Sequence, residues 1–173
     1  MHFVQSKRLG KSGEKLISDL LKFAGVECEE NINVKDKNLF DLSCKINKKK
    51  FTIECKYDWY SEKSGNLAIE YFNPTSNKAS GIDATSATLW GIVINDRDYK
   101  TIWLTSVANL KQFIKNNSPY KTMMKVGDGN ASIYLYKTDK LLTIFHRVDN
   151  LDKEDVVKTI TVILNKSKSK GTK

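Results

Sequence analysis

Three residues within 39–56, LFDLSCKINKKKFTIECK, have the types and spacing that suit hydrolysis of a phosphate ester: Asp41, Glu54 and Lys56. A hard cation such as Mg²⁺ prefers carboxylate and water oxygens and needs only one or two protein carboxylates. Asp41 and Glu54 would supply those, and the backbone carbonyl of Cys55 would be a third oxygen. Mn²⁺ suits the same donors. Lys56 would stand beside the attacking water, to orient it or to neutralise charge growing on the phosphoryl group. The cation and the lysine together relieve the repulsion between two carboxylates and an anionic phosphodiester.

Strand side chains alternate between faces with period 2. Phe40, Leu42 and Cys44 fall on one face and Asp41 with Ser43 on the other. Phe51, Ile53, Cys55 and Tyr57 share a face, leaving Thr52, Glu54 and Lys56 opposite. A hairpin turning at Asn47 to Lys50 would bring Asp41, Glu54 and Lys56 to one side of one sheet. The strand 66–72, NLAIEYF, carries a further acid, Glu70, on its Asn66–Ala68 face. Glu-x-Lys spacing alone decides little in so lysine-rich a chain: Asp98-Tyr99-Lys100, preceded by Asp83, has it too, but in a turn and a polar loop. The plain alternative is an exposed sheet face with surface salt bridges. Acids recurring on three successive strands argue against it.

The chain that must position these groups has 173 residues, enough for one domain over 1–165 with its own core, and a formal charge of +9. That charge favours a polyanionic partner, nucleic acid above all, although lysine-rich usage also follows from base composition. The three cysteines, Cys28, Cys44 and Cys55, show no paired spacing, which points to a reducing, cytoplasmic setting with Cys44 and Cys55 in the core. No stretch has the length of a membrane span, and no basic amphipathic helix carries the bulky apolar face that an acidic membrane surface would take, so no membrane partner is expected.

Residues 6–25 read as an amphipathic helix closed by Gly25, with Glu14 at the edge of its apolar stripe, where an acid can simply reach water. A mixed-polarity strand at 26–34 and a KDKN turn precede the hairpin. DWYSEKSG (58–65) reads as a polar loop. Residues 73–88 form a polar loop into a short helix near Asp83 or Ala84, where Ser80 and Thr85 could contact phosphate. The run 89–95 is a buried strand, DRDYK a turn and TIWLT a strand, followed by a helix over 106–116. Residues 117–130 are loop-like around a short strand, KTMMKV. Residues 131–136 and 141–148 suggest a late hairpin, and 151–165 a final helix with acids in its first turn. Residues 166–173 make a basic flexible tail. The order predicts an α/β fold, a central mixed β-sheet flanked by helices.

In this setting the residues resemble the PD-(D/E)XK, restriction-endonuclease-like, nuclease superfamily: a helix bearing Glu, a strand Asp, a hairpin turn, then a strand (D/E)-x-K. Glu14, Asp41, Glu54 and Lys56 match in order, and Phe40 replaces the family's proline before the Asp. The likeness spans roughly residues 9–95, and the segment from Glu70 through the Ser/Thr-rich turn is similar to small phage-type and homing-type members. The resemblance implies a mixed sheet with flanking helices, a Mg²⁺ cofactor and DNA cleavage, and it gives Glu14 a place in the site. On that reading the chain is an endonuclease acting on DNA, either sequence-specific in the homing or restriction manner or structure-specific on junctions. Lys7, Arg8, Lys11, Ser80 and Thr85 would touch phosphates, Glu70 would be an additional acid, and a homodimer would present two sites to two strands. The competing expectation is a non-catalytic DNA-binding protein on the same fold.

Overall fold

The computed structural model describes residues 2–32, 39–97, 99–126 and 130–169. The KDKN turn, Asp98, most of the GDGN segment and residues 170–173 lie outside the described residues, as do the side chains of Lys7 and Arg8.

Helix α1 (His2–Phe23) starts earlier than the periodicity suggests. It closes as expected at Gly25, whose φ of 83° is open to glycine at little cost. The Gly25 amide donates to the Lys22 carbonyl at 3.0 Å and the Val26 amide to Leu21 at 2.9 Å, a Schellman closure. Strands β1 (Glu27–Glu30), β2 (Leu42–Ile46) and β3 (Lys49–Asp58) follow. The turn between β2 and β3 is only Asn47 and Lys48, both at positive φ (47° and 66°), which suits a tight hairpin and leaves Lys49 and Lys50 inside β3.

The expected loop at 58–65 is shorter, because β3 runs through Asp58 and helix α2 (Ser61–Ser64) follows. The Asp58 carboxylate accepts from the Tyr60 and Ser61 amides at 2.9 and 2.7 Å. Next come β4 (Asn66–Asn73), β5 (Lys78–Ala79) and the single-turn helix α3 (Gly81–Ala84), which begins ahead of Asp83. Strands β6 (Leu89–Asp96) and β7 (Tyr99–Ser106) lead into α4 (Val107–Asn116), capped by the Ser106 hydroxyl accepting from Asn109 at 3.1 Å. The rest is β8 (Lys121–Val126), β9 (Ala131–Lys137), α5 (Thr138–Leu142), β10 (His146–Arg147) and α6 (Lys153–Ser169).

The central sheet is mixed and six-stranded, ordered β1-β2-β3-β6-β7-β10, with β3 and β6 parallel and the other pairs antiparallel. A second, antiparallel sheet of order β5-β4-β9-β8 stands beside it. The expected late hairpin is therefore not formed: β9 pairs with β4 and β8, β10 pairs with β7, and α5 lies between them. The final helix runs past 165 through Ser169, so the first residues assigned to a flexible tail are helical.

One face of the central sheet, with Ile53, Leu89 and Val93, packs under Ile17 and Leu21 of α1 and Val156 and Ile160 of α6. The other face, with Trp90, Ile92 and Ile94, packs on Leu67 and Ile69 of β4, Tyr136 of β9 and Leu110 of α4. Both faces of β6 are thus covered, which is why it reads as an unbroken apolar run. Gly91 lies within that run because a Cβ there would come within 2.9 Å of Ile17 Cδ1.

The cysteines depart from expectation. Cys28 and Cys44 sit directly opposite each other on β1 and β2, Cα atoms 4.2 Å apart, and form a disulfide; Cys55 is the buried free thiol. Spacing along the chain could not show this, because the register between two strands makes the pair. No helix among the described residues is long and apolar enough to cross a membrane.

Candidate active site

Strand β3 is the spine of the site. Its even-numbered backbone groups face β6, as the Thr88 amide donating to the Thr52 carbonyl at 3.1 Å shows. Its odd-numbered groups face β2: the Asp41 amide donates to the Ile53 carbonyl at 2.9 Å, and the Cys55 amide donates to Asp41 Oδ2 at 2.7 Å. In an extended strand a residue's N–H and C=O point the same way. The Cys55 carbonyl is therefore turned toward the edge where Asp41 lies.

Asp41 is not inside a strand, as alternation suggested, but immediately ahead of β2. The Leu42–Ile53 pairing makes Asp41 and Glu54 the next neighbours along the ladder. A bend at this point also sends Phe40 to the second core, away from Leu42 and Cys44. Asn31, just past β1, holds the bend: its amide donates to the Asp41 carbonyl at 2.8 Å and its side chain to the Phe40 carbonyl at 3.0 Å.

Glu54 and Lys56 share the face of β3 that looks toward the second sheet. Lys56 Nζ donates to Glu54 Oε1 at 2.6 Å, and the lysine lies over the Trp90 ring, 5.4 Å from its centre. Glu54 is 8 % exposed. Thr85 backs it, with a hydroxyl 3.5 Å from Glu54 Oε2 that donates to the Leu39 carbonyl at 2.8 Å and accepts from the Ala87 amide at 3.1 Å. Thr85 is buried, with its hydroxyl engaged by Leu39 and Ala87, so it is not turned outward as a phosphate contact would be; it stands against Glu54.

The electrostatics follow from crowding acids in a half-dry place. Burial and then the neighbouring Glu54 charge push the Asp41 carboxyl up to about 7, with Glu14 adding to the rise and the Cys55 amide and Lys56 opposing it. Burial alone would lower the Lys56 pKa. The charge and hydrogen bond of Glu54, helped by Asp41 and Glu70, outweigh it and raise the value, so the ammonium stays charged at neutral pH. Burial and the surrounding carboxylates push the Cys55 thiol well up, which keeps it protonated.

Two further acids approach from other elements. Glu14 of α1 acts on Asp41 and Cys55 through its charge. The helix comes close because Gly13 faces β3: a Cβ there would lie 3.1 Å from Tyr57 Cβ. Glu70 belongs to the second sheet rather than to a third strand of the hairpin's sheet, yet it lines the same cleft as Glu54 and Lys56, about 370 Å³ in volume. Its place depends on Gly81 of α3, at φ 50°, where a Cβ would run into the Glu70 carbonyl. Asn73, Ser76, Lys78 and Ser80 complete the far wall. Lys11 is exposed on α1.

The oxygens of Asp41, Glu54 and the Cys55 carbonyl are of the kind a hard cation takes, and such a cation would offset the burial and the Glu54 charge that push the Asp41 carboxyl up to about 7. Among the described residues no three His, Cys, Asp or Glu side chains form a ready cage of their own. The sequence offers Thr85 only as a phosphate contact and gives no sign of Asn31 or Gly81 at the site; a glycine inside the helical stripe beside Glu14 is the one further signal available.

No family model matches the chain, and no curated protein does. Among solved structures it is similar to that of a bacterial homing endonuclease, I-Ssp6803I, with 16% identity over 97% of this chain and 99% of that one and a TM-score of 0.49. A likeness of that degree carries no weight for the activity of this chain.

Proposed function

We propose that the chain is a metal-dependent deoxyribonuclease, an endonuclease of the PD-(D/E)XK type that hydrolyses phosphodiester bonds at Asp41, Glu54 and Lys56. The observation that carries this is Lys56 held at 2.6 Å on a nearly buried Glu54, next to an Asp41 carboxyl whose pKa is pushed up to about 7. Asp41, Glu54 and the Cys55 carbonyl would hold Mg²⁺, or Mn²⁺ in its place. Such an ion would supply Lewis-acid charge beside the scissile phosphate. Lys56, fixed as an ammonium, is a donor and not a base. It holds and orients an attacking water or offsets charge on the phosphoryl oxygens. Glu54 fixes the Lys56 rotamer, Thr85 packs behind Glu54, and the Asn31 contacts set the Asp41 backbone. Glu14 and Glu70 flank this centre as outer acids. A net charge of +9 draws the polyanion in. Cutting both strands of a duplex takes two such sites, which a homodimer would present.

The test is nicking of supercoiled plasmid with Mg²⁺ or Mn²⁺ by the wild-type chain and by Lys56→Ala, with linear duplex, single-stranded and four-way-junction DNA alongside. Wild type should cut at least one form, EDTA should stop it, and Lys56→Ala should cut about 10²-fold slower or less. Metal-independent binding with no cutting of any form would favour the non-catalytic reading.

A further inference from the structure

The far wall of the cleft is the β4–β5 hairpin. Its root is rigid. Gly81 packs against the Glu70 backbone, the Ser80 amide donates to the Tyr71 carbonyl at 3.0 Å, and the Tyr71 and Tyr134 rings stack with centres 4.1 Å apart. Its tip is polar, with residues 75–79 all exposed. The turn is fixed by the chain itself: the Asn73 side chain accepts from the Thr75 and Ser76 amides, each at 3.0 Å, and Asn77 takes a φ of 52°. The side chains of Thr75, Ser76, Asn77 and Lys78 are thus spared from holding the turn, and β5 sits at the open edge of its sheet.

The position of this ribbon matters more than its build. Asn73, Ser76 and Lys78 line the same cleft as Glu54 and Lys56, so a polymer whose phosphodiester rests on Lys56 has its neighbouring nucleotides against the hairpin tip. Hydroxyl, amide and ammonium groups are the donors and acceptors that base edges match, and a two-stranded β-ribbon fits the roughly 12 Å wide major groove of B-form DNA. The deep, narrow major groove of A-form RNA does not admit it.

Resting on the nuclease reading of the cleft, we propose that the β4–β5 hairpin is the specificity-determining element: it enters the major groove of duplex DNA and reads the bases beside the scissile phosphate through Thr75, Ser76, Asn77 and Lys78.

The test is selection of bound duplexes from a pool with randomised bases. The Lys56→Ala chain is compared with the same chain also carrying Thr75→Ala, Ser76→Ala, Asn77→Gly and Lys78→Ala. Glycine at 77 keeps the positive φ while removing the side chain. The Lys56→Ala chain should enrich particular bases at a few adjacent positions, with roughly 5- to 100-fold discrimination at each, and the hairpin variant should lose that preference while still binding the pool. The same preference in both chains overturns the proposal, as does no preference in the parent. A uniform loss of binding with the preference intact also overturns it, since the hairpin would then touch only phosphates. If the combined variant does not melt like its parent, Ser76→Ala and Lys78→Ala singly are judged by the same criteria. Cutting is not part of this readout. A wild type that never cleaves would sink the enzyme reading while the selection still decides the role of the hairpin.

Discussion

Replacing Asp41 by asparagine should stabilise the metal-free protein while removing its activity. The aspartate carboxyl rises from 3.8 to about 7 on folding, mainly through burial and the nearby Glu54. A group whose folded pKa is raised binds more protons in the folded chain than in the unfolded one. Its contribution is intact below about pH 4 and is lost as pH climbs through about 7. A rise from 3.8 to about 7 sets an upper bound of about 4 kcal/mol on that loss. Because the site relaxes around an ionised carboxylate, about 2 kcal/mol is the expected gain for the Asp41→Asn chain at pH 8. Asparagine keeps an oxygen to accept the Cys55 amide, now bonded at 2.7 Å, so the substitution takes away the charge and little else. For a chain of this size that gain is about 4–8 °C in Tm. The assay is thermal unfolding of both proteins in EDTA at pH 4, 6 and 8. The two curves should nearly coincide at pH 4 and separate progressively above it, with the Asp41→Asn chain the more stable. A variant that is less stable at pH 8, or a difference that does not change with pH, would refute the electrostatic reasoning.

Other outcomes follow from the same contacts. Adding Mg²⁺ or Mn²⁺ at pH 7 should raise the wild-type Tm and release protons, by up to about one per chain, while Asp41→Asn should show neither effect in calorimetry with buffers of different ionisation heat. Gly81→Ala should cost about 2–4 kcal/mol, seen as a lowered urea midpoint, because a side chain at φ 50° is strained and its Cβ meets the Glu70 carbonyl. Thr85→Val should slow nicking more than it lowers Tm, since the buried hydroxyl braces Glu54; equal loss of both would assign it to packing alone. Thiol titration of the unfolded, unreduced chain should find one reactive cysteine, and reduction should cost about 3 kcal/mol, given the sequence separation of 16 between Cys28 and Cys44.

Much of the site was legible because its signals are local. A two-residue alternation puts Glu54 and Lys56 together on one face of a strand whose other face, Phe51, Ile53 and Cys55, is buried. The Gly25 stop was equally local. What failed was non-local. Strand β4 shows the same alternation whichever sheet receives it, so nothing nearby revealed that Glu70 would face Lys56 from a second sheet. The short helix α5, five residues long, has too few turns to display a period, and its strand neighbours were merged into a hairpin that does not exist. Thr85 shows in the sequence only as a loop hydroxyl suited to phosphate, because its partners Leu39 and Glu54 lie 46 and 31 residues away. The Cys28–Cys44 bridge depends on a strand register that cysteine counting cannot supply.

The central claim is that Asp41 and Glu54 form a metal-dependent site for phosphodiester hydrolysis. Its most direct measurement is nicking of supercoiled plasmid in Mg²⁺ by wild type and Asp41→Asn, side by side with their melting curves. The account predicts that the variant melts at or above the wild-type temperature in the absence of metal yet cuts at least about 10²-fold more slowly. Lost cutting then cannot be ascribed to lost folding. An Asp41→Asn chain that nicks DNA at the wild-type rate would contradict the claim.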